Sequence, residues 1–340
     1  MTYQTFFFSL ELMRFIAFFL PLSLIAFDLW ADLIVYSSRK EKFVRPLLDK
    51  FERETKIKTK LLSGVKVIKI LEEQRYPLGN VFISNDVGQL EFLRLKGALK
   101  GIDIRAEIGI SQKFRAKDNS WVGLTARSRI LMYNTDLISQ KKMPKTLWDL
   151  TLPQWKGQFA ITSGGNSSMI AHIGALRSTW GEKKTLEWMK KVKENAGAIT
   201  KGHTDIRMAV GRGEFKFGLV NNYYYHLQKL EKKHNRVAAV YPDQGGMGTF
   251  TNSAGVALLN NPKNFRESKA FMRWIVEKEN QKLFAHASLE VPLNPALKAP
   301  KEAKAVHQYK TLDMALDTLG KNWPKSKKLI ERAGLDLAVK

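Results

Sequence analysis

The stretch NVFISNDVGQLEFL, residues 80–93, contains the unit from which this chain is built. Val81-Phe82-Ile83 is an apolar run of strand length, and it ends in the polar pair Ser84-Asn85. Asp86 then stands at a preferred helix N-cap position, and apolar residues follow it at helical spacing. A strand that ends in polar residues and leads into a helix is the repeating unit of an open α/β layer.

The same unit is repeated on both sides of this stretch. Strands are predicted at 32–36, 56–62, 129–133, 159–162, 217–220 and 254–259. Helices are predicted at 65–75, 167–177, 182–194, 204–212 and 222–233, with one long helix over about 264–286. This alternation predicts largely parallel sheets covered by helices.

The pattern restarts near residue 130, which predicts two α/β lobes. We expect lobe 1 to contain 32–129 and 254–302, and lobe 2 to contain 130–253 and 303–340. No flexible linker separates them, so the chain should cross on strands near 121–129 and 249–254, where a hinge would lie.

Small polar residues follow several predicted strands. They are Ser37-Ser38, Ser84-Asn85, Ser163-Gly164-Gly165 and Asn221-Asn222-Tyr223-Tyr224. Because ligands of open α/β sheets bind outside the carboxyl ends of strands, these segments should face one cleft.

Composition excludes several classes of protein. The chain has 340 residues, a formal charge of +24 and no cysteine, which rules out disulfides, thiolate metal sites and cysteine nucleophiles. The basic residues are dispersed, with no nucleic-acid-binding motif, so a solvated basic surface is favoured over binding to nucleic acid. No nucleophile elbow, P-loop or dinucleotide fingerprint is present, and we expect a binding protein rather than an enzyme.

The N-terminus has the pattern of an export signal. Arg14 precedes the apolar run FIAFFLPLSLIAF at 15–27, and Ala31 follows shortly after. A basic residue, a short apolar run and a small residue are typical of a cleavable signal peptide, here 1–31, which predicts a periplasmic protein. An uncleaved anchor is the alternative.

Eight segments in order resemble the periplasmic ferric-iron-binding proteins, the transferrin-like branch of the two-lobed solute-binding proteins. Five of them are VYSSRKE (35–41), NVFISNDVGQL (80–90), WVGLTARSRILMYNTD (121–136), LWDLTLPQWKGQFAITSG (147–164) and GLVNNYYYH (218–226). The resemblance implies a type II periplasmic-binding-protein fold, with an open mixed sheet flanked by helices in each lobe and a cleft between the lobes.

The resemblance also implies metal ligands. Tyr223 and Tyr224 align with the family's adjacent tyrosine pair, which supplies two phenolates to Fe³⁺. A hard cation prefers anionic oxygen ligands, and it can displace the phenolic proton. On the residues alone, an aromatic cluster packed in the core is the alternative.

The family binds an anion beside its metal. Ser163, Gly164, Gly165 and Asn221 align with its anion-site residues, and Arg127 and Arg129 lie on the predicted hinge strand, where one arginine supports the anion or a tyrosine. Carbonate, phosphate or citrate would be the co-ligand of Fe³⁺. For residues 163–165 the alternative is an ordinary strand–helix turn. For Arg127 and Arg129 the alternative is a charged residue on the surface, which is favoured more for Arg129 than for Arg127.

Three positions depart from the family pattern. Arg39, Lys40 and Glu41 stand where relatives have a histidine or a histidine–tyrosine pair, Asn85 replaces a glutamate, and Ser167-Ser168 replace a third tyrosine. Arg39 and Lys40 would attract an anion instead. His203 could enter the cleft, although a partly solvated histidine is the alternative.

The function expected from this resemblance is ferric-iron binding for an ABC uptake system. The protein would act as a monomer that delivers iron to a membrane permease and its ATPase. The alternative is a protein of the same fold that binds a phosphonate or phosphate ester through Arg39, Lys40, Arg127 and the 163–165 loop.

Overall fold

The computed structural model describes residues 33–104 and 109–337. The predicted signal peptide, its apolar run and its cleavage site after Ala31 lie outside the described residues. Every helix among the described residues is too short or too polar to span a bilayer.

Strands and helices alternate along the chain. The strands are β1 (Leu33–Ser37), β2 (Thr59–Ser63), β3 (Val81–Ser84), β4 (Trp121–Asn134), β5 (Phe159–Thr162), β6 (Ala198–Thr200), β7 (Phe217–Asn221), β8 (Val237–Val240), β9 (Thr251–Leu258) and β10 (Val291–Pro292). The helices are α1 (Arg45–Thr55), α2 (Val67–Glu72), α3 (Val87–Leu95), α4 (Ser167–Trp180), α5 (Glu182–Asn195), α6 (His203–Arg212), α7 (Asn222–Lys229), α8 (Phe265–Ile275), α9 (Lys278–Ser288) and α10 (Asp317–Arg332).

One strand joins the two halves of the sheet. In the described part of the chain the strand order is β2-β1-β3-β9-β4-β7-β5-β6, with β8 and β10 also paired to β4. The first part of β4, 121–128, pairs with β9, and its second part, 129–133, pairs with β7. The two strands expected at the hinge are therefore hydrogen-bonded neighbours.

The sheet is mixed, so the expectation of largely parallel sheets is wrong. Pairs β1–β2, β1–β3, β5–β6 and β5–β7 are parallel, as strand–helix–strand units require. Strands β4 and β9 run antiparallel to their neighbours because they carry the chain between the two halves.

Two large clusters of buried apolar side chains lie on the two halves. The first draws mainly on 33–126 and 250–293, with Ala171, Ala175 and residues of 312–319 added, and the second draws on 131–219 and 323–335. Helix α10 contributes Leu319 to the first and Trp323 to the second, so it packs against both. The assignment of 303–340 to lobe 2, like the other lobe boundaries, stays a prediction.

The predicted long helix over 264–286 is wrong, because it is two helices. Helix α8 ends at Ile275, and Glu277 has an extended backbone that starts α9 at Lys278. The side-chain amides of Asn280 and Gln281 donate to the carbonyls of Trp274 and Val276. These bonds satisfy acceptors that the end of α8 leaves open, which stabilises the break.

Other boundaries differ by a few residues. Strand β2 begins at Thr59 rather than at 56, because Lys56 has a left-handed backbone (φ 64°) that ends α1. The predicted cap at Asp86 is confirmed, since its carboxylate accepts a hydrogen bond from the Gly88 amide at 2.7 Å.

One histidine lies in the core of the fold. His172 in α4 is fully buried and stacks on Phe250 with ring centroids 5.6 Å apart, and among the described residues neither of its ring nitrogens has a hydrogen-bond partner. Burial, with Arg129 adding a smaller repulsion, holds the pKa of His172 well below its usual value. The unfolded state therefore binds the proton more readily than the folded state does.

We expect the free energy of unfolding to fall as the pH drops below about 6.5, the unfolded pKa, by up to about 1.4 kcal/mol per pH unit from His172 alone. The substitution His172→Phe should remove this contribution and make the free energy of unfolding depend less steeply on pH. Urea denaturation at several pH values between 7 and 5 measures it, with the exposed His286→Gln as the control. An unchanged slope in His172→Phe would show that His172 does not contribute.

Candidate functional site

A cavity of about 250 Å³ lies at the carboxyl ends of β1 and β3, where they meet β4, α6 and α7. It is lined by Ser38, Arg39, Lys40, Lys42, Phe43, Asn85, Arg127, Thr204, Arg207, Tyr223, Tyr224 and Leu227. The position agrees with the rule that places ligands beyond strand ends in open α/β sheets. Six of the residues singled out from the sequence meet here, namely Arg39, Lys40, Asn85, Arg127, Tyr223 and Tyr224.

The two tyrosines reach the cavity together because α7 begins directly after β7. Successive residues of a strand point to opposite faces, whereas neighbours at a helix start can share one side. The rings of Tyr223 and Tyr224 lie 4.2 Å apart between centroids, and both are partly buried. Tyr225 does not line the cavity; it packs with Tyr224 against a small apolar cluster.

Side chains on both sides of α7 hold it in place. The Asn222 side-chain oxygen accepts hydrogen bonds from the backbone amides of Ser128 and Tyr223, which ties the helix start to β4. One turn later, His226 Nδ1 donates to the carbonyl oxygen of Leu289 at 2.7 Å. The tyrosine pair therefore sits on a helix start that is fixed at two points.

Burial raises the pKa of Tyr223 well above its usual value. Neighbouring Tyr224 raises it further, Arg127 opposes the shift, and Glu290 adds to it. The phenol of Tyr223 is consequently protonated at neutral pH. Only a strongly charged cation at the oxygen would supply the energy that removes its proton.

Arg127 is a buried cation on the floor of the cavity. Its guanidinium lies 5.9 Å from the centre of the Tyr223 ring, and its nearest carboxylate, Glu290, is 3.8 Å away. In the described part of the chain, its Nε has no hydrogen-bond partner. Since a buried guanidinium is costly without partners, this side chain is suited to an anion in the cavity.

Arg39 lines the cavity, but its charge is already neutralised. Its guanidinium donates to both carboxylate oxygens of Glu290, at 3.0 and 3.2 Å, and lies over the rings of Phe43 and Phe284. Glu290 is fully buried and also accepts a hydrogen bond from the Thr125 hydroxyl. Arg39 is therefore a less effective anion ligand than its position in the sequence suggested.

Sequence reasoning missed Glu290 beside the cavity, and it also missed five residues that line it, namely Lys42, Phe43, Thr204, Arg207 and Leu227. The only local signal for Glu290 is an acid between Leu289 and Val291, directly before β10. A carboxylate in such an apolar context indicates a buried partner, because acids are rarely buried unpaired.

Arg129 and His203 lie behind the tyrosines rather than in the cavity. Both are buried, so the alternatives of a surface arginine and a partly solvated histidine are wrong. Arg129 Nη1 lies 3.0 Å from His203 Nε2, and because arginine can only donate, Nε2 must accept and the ring must be neutral. Burial accordingly lowers the pKa of His203 well below its usual value and that of Arg129 to about 9. The His203 ring, 5.0 Å from that of Tyr224, supports this tyrosine from behind.

The 163–165 segment does not line the cavity. The Gly164 amide donates to the carbonyl oxygen of Leu335 at 2.6 Å, and a β-carbon at Gly164 would lie 2.1 Å from the Ile330 side chain. Glycine is therefore required here for packing against the C-terminal segment. Asn221 is buried opposite Arg129 in the β4–β7 ladder. A role for these residues in anion binding stays a prediction.

The side-chain oxygen atoms around the cavity, which are the atoms that could bind a metal, belong to phenols, an amide and hydroxyls. None of the residues that line it is a carboxylate or a histidine. Across the described ranges, no group of three or more histidine, aspartate or glutamate side chains could hold a metal ion. A cation in this cavity would therefore rely on the two tyrosines and on oxygens brought by a co-ligand.

Comparison with known proteins identifies the family. The model of the family described as bacterial extracellular solute-binding protein matches residues 48–311. A protein named major ferric iron-binding protein from Neisseria meningitidis is 29% identical over 318 residues, which cover 90% of this chain and 93% of that protein. Iron uptake protein A1 from Synechocystis is 27% identical over 315 residues, 89% of this chain and 87% of that protein.

Solved structures agree in fold. A Trichodesmium protein in complex with iron and citrate ligands superposes with a TM-score of 0.78 at 26% identity, covering 90% of this chain and all of that one. The ferric binding protein from Campylobacter jejuni gives a TM-score of 0.81 at 26% identity, and the match covers 89% of this chain and 99% of that one. The predicted fold, a two-lobed type II periplasmic-binding-protein fold with mixed sheets flanked by helices and a cleft between lobes, is thereby confirmed. The chain belongs to the bacterial extracellular solute-binding protein family.

Proposed function

We propose that this protein is the solute-binding component of an ABC uptake system and that its cargo is ferric iron. The observation that carries the proposal is the placement of Tyr223 and Tyr224, two adjacent phenols that face one cavity beside a buried arginine. Relatives named for ferric iron binding or iron uptake, similar over nearly the whole chain, support it.

The chemistry of the pair suits Fe³⁺. Fe³⁺ is a hard cation that prefers anionic oxygen ligands, and each tyrosine supplies one once its proton is displaced. Two phenolates leave most of the coordination shell open. A bound anion such as carbonate, phosphate or citrate would supply the remaining oxygens, with Arg127 balancing its charge.

Delivery requires a membrane partner. A binding protein performs no transport by itself, so we propose that it works as a periplasmic monomer, exported by the 1–31 signal, and hands iron to a permease driven by an ATPase. Periplasmic relatives support this location.

Iron retention tests the proposed function. The purified protein, incubated with ferric citrate and passed through a desalting column, should retain one iron per chain by metal analysis. Protein that elutes without iron under these conditions would contradict the proposal.

A second candidate is an anion cargo without metal, namely a phosphonate or phosphate ester. The cationic side chains around the cavity favour it, but the paired phenols are then left without a role. Calorimetry of the iron-free protein with methylphosphonate and glycerol 3-phosphate distinguishes the two: tight binding of either, together with no iron retention, would favour this candidate.

A further inference from the structure

A segment near the C-terminus, residues 305–312, lies against the two strands expected at the hinge, β4 and β9. Its backbone pairs with the chain just before β9. The Thr249 amide donates to the Lys310 carbonyl, and the Leu312 amide donates to the Thr249 carbonyl, both at 2.9 Å. The side-chain amide of Gln244 bonds the amide and the carbonyl of Lys310, at 2.8 and 3.0 Å. The segment is therefore fixed beside the hinge strands.

The contact between this segment and the chain before β9 is close. A β-carbon at Gly248 would lie 2.6 Å from the carbonyl carbon and oxygen of Thr311. Gly248 also has a left-handed backbone, with a φ of 86°, which favours glycine. Because backbone atoms cannot move aside as the end of a flexible side chain can, a larger residue at 248 would push the segment away. The backbone thus sets the distance between the segment and the hinge strands.

Tyr309 connects the segment to both hinge strands through its hydroxyl. The hydroxyl oxygen lies 2.5 Å from Ser128 Oγ in β4, and Ser128 Oγ lies 2.8 Å from Thr251 Oγ1 in β9. The ring of Tyr309 packs against the ring of buried Tyr241, with centroids 4.3 Å apart. Since the ring contact holds the side chain in place, the hydroxyl is presented to Ser128 without further adjustment.

Ser128 is the residue at which β4 changes its pairing partner. It is the last residue of β4 that pairs with β9, opposite Thr251, and Arg129 is the first that pairs with β7. Ser128 is fully buried, so its hydroxyl depends on partners within the protein. A hydrogen bond to this hydroxyl therefore acts at the point where the two halves of the sheet meet.

The same serine contacts the helix that carries the tyrosine pair. The backbone amides of Ser128 and Tyr223 both donate to the side-chain oxygen of Asn222, at 3.2 and 3.1 Å. Asn222 is the first residue of α7 and is itself fully buried. Three hydrogen bonds in succession therefore lead from the Tyr309 hydroxyl to the backbone of Tyr223.

Resting on the proposed function, we infer that Tyr309 is a positioning residue for the metal-binding tyrosines. Its hydroxyl holds β4 at Ser128, and Ser128 in turn holds the start of α7. Tyr223 and Tyr224 consequently keep one orientation relative to both halves of the sheet. Without this bond the two tyrosines stay on α7, but the two halves of the sheet vary more in their relative position, and a metal ion bound by both phenols is released faster.

Distances between spin labels test the hold on the hinge in the absence of iron. The chain has no cysteine, so Lys60→Cys in β2 and Lys141→Cys after β4, both at exposed positions, place one label on each half of the sheet. Double electron–electron resonance on the full-length mature protein should give a broader distance distribution in Tyr309→Phe than in the otherwise unchanged labelled protein. Ser128→Ala should broaden it at least as much. The double variant should match Ser128→Ala, because both substitutions remove the same bond.

Iron release tests the positioning role. Transfer of iron from the loaded protein to an excess of a competing chelator should be about fivefold faster in Tyr309→Phe, which is the effect expected from one hydrogen bond between neutral groups. Tyr133→Phe is the matched control. It removes a hydroxyl from another buried tyrosine, in β4 itself, whose hydroxyl bonds to no described residue. Its label distances and its rate of iron release should equal those of the wild type.

The outcomes separate this inference from the proposed function. A distance distribution in Tyr309→Phe as narrow as that of the wild type, or one equally broad in Tyr133→Phe, would overturn the inference. Broader distances with an unchanged rate of iron release would overturn the positioning role, because the tyrosines would then not depend on the hinge. Wild-type protein that retains no iron would overturn the proposed function, whereas the label distances would still show whether Tyr309 holds the hinge.

Discussion

Tyr223→Phe and Tyr224→Phe should each reduce the affinity for ferric iron more than a hundredfold. Each substitution removes one anionic oxygen from a metal that has only two protein phenolates in this cavity. Loss of a residue that merely orients a metal ligand costs about 10- to 100-fold in affinity, so loss of a ligand itself should exceed that range. Competition against a ferric chelator of known affinity measures the change.

Tyr225→Phe is the matched control. It is the next residue of the same helix, is partly buried like the other two, and does not line the cavity. The affinity of the Tyr225→Phe protein for iron should stay within a few-fold of that of the wild type. Thermal denaturation of all three variants should show similar midpoints; Tyr223→Phe and Tyr224→Phe variants that bind iron as the wild type does would refute their role as ligands.

Glu290→Gln should produce the largest loss of stability of any single substitution near the cavity. The carboxylate balances the buried Arg39 and lies 3.8 Å from buried Arg127, so its loss leaves Arg39 without its ion-pair partner and removes a nearby negative charge from Arg127. Breaking a buried ion pair on one side typically costs about 3–5 kcal/mol in the free energy of unfolding. Urea denaturation near pH 7.5 measures this.

Two further variants separate charge from packing. Glu41→Gln breaks an exposed pair with Arg45 and should change the free energy of unfolding by no more than about 0.5 kcal/mol. The double variant Arg39→Met/Glu290→Met should recover much of the stability, because both members of the pair are replaced by apolar groups. A Glu290→Gln protein as stable as the wild type would show that the pair is not needed to hold this part of the fold.

The sequence predicted those strands, helix starts and caps that depend on residues close together in the chain. The apolar strand at 81–84, the cap at Asp86 and the helix start at Asn222 follow from residues within a few positions of one another. The polar residues at the ends of β1, β3 and β7 predicted the position of the cavity, because the direction of the strands brings these ends together.

The remaining features depend on distant parts of the chain. Glu290 lies 251 residues from Arg39, and no local pattern connects them. Gly164 resembles an anion loop in sequence, but residues 330–335 cover it in the fold. Arg129 is a charged residue that would ordinarily be exposed, and its burial depends on His203 and on the Ser168 carbonyl, which come from other elements.

The visible absorption spectrum of the wild-type protein during titration with ferric citrate tests the tyrosinate–iron site most directly. Phenolate-to-Fe³⁺ charge transfer should give a coloured complex whose intensity saturates at one iron per chain and falls in Tyr223→Phe and in Tyr224→Phe. A protein that stays colourless at saturating ferric citrate would contradict iron ligation by these tyrosines.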